Sequence, residues 1–220
     1  MNTVVLNNRL ASYSDCVNKF PVFPKKAVLL GVESDGYPVL LDMYSNPEAG
    51  SKAYAVIGDI NETREMLFSA CRFVSDFSPL KTIVVVITNN ISAWRDFRYF
   101  RNIDLEGVYS ANNTSADDVV SMISEYNETC GDLDVEKILL IIDDVESILK
   151  MDFLTKTQFR DIISNPSASV TVIATASKFN ESALLGFGGQ GAWATIFETH
   201  GECDAFAESK IHFKILDHRK

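Results

Sequence analysis

The sequence predicts an α/β protein with a mainly parallel sheet flanked by helices and a β-hairpin near its N-terminus. Two observations carry that expectation. The runs "AYAVIG", "KTIVVVIT", "EKILLII" and "SVTVIATAS" are short and continuously apolar, as strands buried on both faces must be. Segments with helical spacing separate them, and this alternation places helices over both faces of a parallel sheet. At 220 residues and 46% hydrophobic content, the chain suits one such domain with its own core. The expected division is an N-terminal arm over 1–24 and a single domain over 25–220.

Taken in order, "KAVLLGVESDGYPVLLDMY" reads as two strands joined at Asp35-Gly36, because Asp-Gly between apolar runs favours a tight hairpin turn. A buried strand then ends at Gly58. From Thr63 to Phe77, Met66, Leu67, Ala70, Cys71, Phe73 and Val74 recur at helical spacing, and Pro79 stops the helix. A second buried strand spans 82–88. After an aromatic-rich connection comes a short strand, and then a helix to about Thr129 with Ser115 as its expected N-cap and Asp117 and Asp118 in the first turn. A third buried strand ends in Asp143-Asp144, a helix is expected over 156–164, and Pro166 closes it. "SVTVIATAS" is the fourth buried strand, with "AWATIFET" and "KIHFKIL" as further strands.

Composition excludes several roles. Thirty acidic against twenty basic side chains give a net charge of −10, which disfavours direct nucleic-acid binding, since that relies on basic surface. No apolar run approaches the ~20 residues of a membrane span, and no signal peptide is expected at the N-terminus. Cys16, Cys71, Cys130 and Cys203 are scattered, as in a reducing compartment, so a cytoplasmic location is expected, with any membrane contact made through a parent protein or complex. In "WRDFRYFR", Arg95, Arg98 and Arg101 recur every third residue. They read either as an anion-facing row or as the wet side of an amphipathic helix.

Ligands of parallel sheets bind beyond the carboxyl ends of the strands, where two motifs stand out. The first has the layout of a phosphate-binding loop. Gly58 begins the pattern, with Thr63 where a second glycine is expected, Arg64 at the lysine and Glu65 at the hydroxyl. Arg64 keeps a positive charge with a different shape. Asp59, Glu62 and Glu65 add negative charge, and each carboxylate within about 4 Å of a phosphate costs about 1 to 4 kcal/mol. The second motif is Asp143-Asp144. Asp143 suits a magnesium-associated carboxylate and Asp144 a water-positioning acid, or else Asp144 caps the following helix.

The hairpin from Gly31 to Asp42, including Gly36, Pro38 and Val39, followed by strand-Gly-loop-helix, the Asp-Asp strand and "VTVIATAS", resembles the FtsK/SpoIIIE family of P-loop ATPases. Within it, the chain looks most like a degenerate module of the type VII secretion membrane ATPase, over roughly residues 27–216. The resemblance implies a RecA-like (ASCE) P-loop NTPase fold. It carries Gly58, Thr63, Arg64, Glu65 and Thr175 over as a degenerate nucleotide site, and Asp143 and Asp144 as Walker B-like acids, Asp143 being the magnesium candidate. Where the DNA translocases have Thr-Gln-Arg-Pro after the fourth strand, this chain has Thr175, Ala176, Ser177 and Lys178. The expected function is therefore a pseudo-ATPase module with little or no ATP binding of its own. Its implied partners are neighbouring ATPase modules and the C-terminal signal of a secreted protein. A weakly active enzyme using Arg64, Asp143 and Asp144 with ATP and magnesium is one alternative, and an AAA-type replication ATPase another.

Two further patterns are set aside. Gly186, Gly188 and Gly191 in "GFGGQG" form a literal Gly-x-Gly-x-x-Gly, but a helix precedes and a strand follows, the reverse of a dinucleotide site. His200, Cys203, His212 and His218 lack the paired spacings of zinc ligands.

Overall fold

The computed structural model describes residues 17–20, 22–23, 27–32, 37–43, 53–77, 82–99, 107–129, 137–165, 169–188, 192–193, 195–199 and 213–216. The four apolar runs become β3 (Ala53–Ile57), β4 (Thr82–Thr88), β6 (Lys137–Asp143) and β7 (Val170–Ala176). With β5 (Val108–Ser110), β8 (Thr195–Thr199) and β9 (Phe213–Leu216) they form one sheet of order β5-β4-β6-β7-β3-β8-β9. All neighbouring pairs are parallel except β8 with β9. The expected fold class is the observed one, because strands of this kind, rich in Val and Ile, are stable only when helices cover both faces.

Side chains of alternate parity supply the two faces. On one, Val56, Val84, Val86, Leu139 and Ile141 pack under α1 (Ile60–Phe77), through Met66, Leu67, Ala70 and Val74. On the other, Ile57, Ile87, Leu140, Ile142 and Val172 meet α2 (Thr114–Thr129), α4 (Phe153–Ser164) and α5 (Glu181–Gly188), through Val120, Phe159, Ile162 and Leu184. A separate hairpin, β1 (Ala27–Val32) with β2 (Pro38–Asp42), is antiparallel and lays Val28, Leu30 and Leu41 against the α1 side. Its turn, Asp35-Gly36, lies outside the described residues. At the end of the expected arm, Phe23 meets Phe73 edge-on at 4.9 Å.

Three helix starts differ from expectation, each because another residue supplies the cap. α1 opens at Ile60, three residues early, since the Asp59 carboxylate accepts the Asn61 N–H at 2.8 Å. α2 opens at Thr114, and Asn113 takes the Ser115 N–H at 3.3 Å, so Asn113 rather than Ser115 caps it. α4 opens at Phe153, where Asp152 accepts the Thr155 N–H at 2.8 Å. Gly186 and Gly188 fall in α5 and a strand follows, the predicted reversed order. Gly191, His200, Cys203, His212, His218 and Arg101 lie outside the described residues. A 3-10 helix, Ile91–Tyr99, follows β4, with Arg95 exposed and Trp94 buried in the core.

Candidate functional site

The carboxyl ends of β3, β4, β6 and β7 converge on one region, and Asp143 is its centre. Asp143 is the last residue of β6, paired in register with Thr88 at the end of β4. Its side chain is fully buried. One oxygen, Oδ2, accepts three hydrogen bonds: from Arg64 Nε at 2.9 Å, Thr88 Oγ1 at 2.9 Å and Trp94 Nε1 at 2.8 Å. The other oxygen, Oδ1, has no hydrogen-bond partner among the described residues. Arg64 reaches this carboxylate from the first turns of α1, with 14% of its side chain exposed. A buried carboxylate of this kind is tolerable only when charge and hydrogen bonds compensate its lost hydration.

Asp144 adopts φ 71, left-handed backbone that Asn and Asp accept more readily than most residues. Its N–H donates to Thr175 Oγ1 at 2.9 Å, and Thr175 Oγ1 donates to the Ile142 carbonyl at 3.3 Å. Thr175 thus ties the end of β7 to the turn after β6. The Asp144 carboxylate accepts the Glu146 N–H at 3.2 Å, at the start of the single-turn α3 (Glu146–Leu149). The Asp144 bond spans two residues just ahead of the helix, whose N-cap position is Val145 with no side-chain cap bond. Burial raises the Asp144 pKa above the usual carboxylate value; the bond from Glu146 N–H lowers it, the Glu146 and Asp143 charges raise it, and Lys150 lowers it.

The connection between β3 and α1 is only Gly58 and Asp59. Gly58 N–H donates to the Ala176 carbonyl at 3.0 Å, and Thr63 N–H to the Asp59 carbonyl at 2.9 Å. Thr63 is buried inside α1, its hydroxyl donating to the Ile60 carbonyl at 3.2 Å. Glu65 is exposed on α1 and does not line the open depression of about 580 Å³ beside Gly58. That depression carries four carboxylates, Asp59, Glu62, Asp144 and Glu146, with Lys178 and Phe179.

Arg64 and Asp143 are therefore brought together, Asp144 and Thr175 are brought together, and Thr63 and Glu65 stay apart from both pairs. Sequence reasoning missed Trp94 and Thr88. A tryptophan soon after the second buried strand was the available signal, although it drew notice for the arginines around it.

No protein-family model matches the chain, and no curated protein sequence matches it. Solved structures do. The cytoplasmic domain of the type VII secretion ATPase EccC from Thermomonospora curvata is 14% identical, with a TM-score of 0.58 over 79% of this chain and 22% of that one. A complex of ATPases 2 and 3 of the same EccC with a signal sequence peptide is 14% identical, with a TM-score of 0.57 over 83% and 35%. ATPases 2 and 3 of EssC from Geobacillus thermodenitrificans give 11% identity and a TM-score of 0.55 over 88% and 37%. This chain spans well under half the length of each. Among the described residues, no helix is long and apolar enough to cross a membrane. The sheet order, the flanking helices and these neighbours together show that the chain shares the fold of the cytoplasmic domains of the type VII secretion ATPases EccC and EssC.

Proposed function

We propose that this chain is a pseudo-ATPase module of a cytoplasmic secretion-ATPase assembly, acting through protein contacts with neighbouring modules or substrate rather than through hydrolysis. The observation that carries the reading is the Arg64–Asp143 pair. The cation that would meet a phosphate is spent on the carboxylate that would help hold magnesium, at 2.9 Å. Two further donors, Thr88 and Trp94, complete that oxygen. Wrapping a triphosphate takes several successive backbone N–H groups, whereas only Gly58 and Asp59 stand between β3 and α1. The Gly58 N–H is already bonded, and the Asp59 carboxylate caps the helix terminus where a phosphate would sit. The residues present do not fit ATP and magnesium. The partner side of the proposal is supported by the neighbouring EccC structure, which holds a signal sequence peptide.

The test is calorimetric titration of the chain with ATP and magnesium. No heat of binding up to millimolar nucleotide is the expected result, and micromolar binding would sink the proposal. One observation favours the second reading, a weakly active enzyme: Asp143 Oδ1 is buried without a partner among the described residues, an acceptor still open to a cation. Turnover abolished by Asp143→Asn would establish that alternative.

A further inference from the structure

The acidic depression has an apolar projection that the core does not use. Phe179 is 98% exposed although its backbone is firmly held. It sits in the 3-10 turn Lys178–Asn180, where Asn180 N–H donates to the Ser177 carbonyl at 2.9 Å. The Asn180 side-chain amide donates to Glu146 Oε1 at 3.1 Å, fixing the turn against α3. Ile60, 37% exposed, lines the same depression, and Leu149, 40% exposed, stands one helical turn beyond Glu146. A phenyl ring held out from this turn keeps apolar surface in water at a free-energy cost, which a partner's apolar side chains would relieve.

We propose that this surface docks a cationic amphipathic segment of a partner polypeptide. Phe179 and Ile60 seat its apolar side chains, and Asp59, Asp144 and Glu146 pair with its lysines or arginines. Charge complementarity selects that occupant: four carboxylates line the depression with Lys178, and Lys150, 3.7 Å from Glu146 Oε2, still leaves acid in excess, on a chain of net charge −10. Acidic segments and phosphates meet repulsion there, while an arginine can both donate a bidentate fork to a carboxylate and stack on the Phe179 ring. The inference rests on the pseudo-ATPase reading, since it gives to a polypeptide the region that nucleotide would approach.

The experiment is fluorescence anisotropy of the whole chain with a labelled octapeptide of two Arg-Leu-Phe-Lys units. One control peptide has glutamates at the charged positions, and the other has serine and glycine at the apolar ones. Tighter binding of the first peptide, by tenfold or more over both controls, is expected. Phe179→Ser and the double change Asp144→Asn/Glu146→Gln should each weaken it at least fivefold. Glu125→Gln/Glu128→Gln, exposed on α2, should leave it within twofold. Absence of peptide binding, indifference to Phe179→Ser, or an equal loss with the α2 variant would overturn the proposal. ATP with magnesium is titrated in parallel. Peptide failure without ATP binding removes this inference alone, whereas direct ATP binding removes the pseudo-ATPase reading.

Discussion

Asp143 gathers Arg64, Thr88 and Trp94 on one buried oxygen. Removing Arg64 leaves a buried carboxylate with only the Thr88 and Trp94 donors. Arg64→Met should therefore lower stability by about 3 kcal/mol, since breaking a buried ion pair strands its partner. A urea midpoint measurement checks this. Arg64→Met/Asp143→Asn should recover most of the loss, because it discharges both partners, and the coupling falls out of the double-mutant cycle. Asp144 makes a pH-dependent prediction. Its folded pKa is raised by burial, so the stability tied to its protonated form is full below the unfolded value, ~3.9, and is lost as pH rises through the folded value. Asp144→Asn keeps an acceptor for Glu146 N–H and tolerates φ 71. It should stabilise the chain at pH 7 by less than about 1 kcal/mol, since water screens the half-buried charge, and the gain should vanish below pH ~4 in thermal melts. These residues were legible as acids at a strand end. Their partners were not, because Thr88 and Trp94 lie 55 and 49 residues from Asp143 in sequence, and side-chain pairing over such separations leaves no local pattern.

At the scale of elements, the β3–α1 connection decides what the pocket can be. The strand and helix were both legible from apolar spacing. The missing loop was not, because Gly58 through Glu65 fits a degenerate loop pattern and a capped helix equally well on paper. Asp59 settles the geometry by capping α1 from its second residue. Asp59→Ala should cost about 1 kcal/mol, the usual loss of an N-cap, read from chemical denaturation. For the same reason Thr63→Gly/Arg64→Lys/Glu65→Thr should leave ATP binding undetectable by calorimetry. All three positions lie within α1, so restoring residue types does not restore the backbone that would wrap a phosphate. The other helix starts, capped by Asn113 and Asp152, repeat the lesson: a boundary depends on which of several neighbouring polar side chains reaches the free N–H groups.

For the whole molecule, the four buried strands and intervening helices made the fold class readable, since a parallel sheet covered on both faces has few ways to bury such runs. The net charge of −10 predicts no detectable association with a labelled DNA duplex at 150 mM salt, where nonspecific contacts already depend on basic surface. The Arg64–Asp143 bond links residues 79 apart, fastening the first helix after β3 to the end of β6. A ligand moves an equilibrium only by the difference in its affinity for two states. On the pseudo-ATPase reading proposed above, a module whose α1 and β6 are already fastened by their own side chains would have no nucleotide-dependent population to shift in a series of nucleotide-driven modules. It would serve as the fixed frame against which its neighbours' strokes are measured.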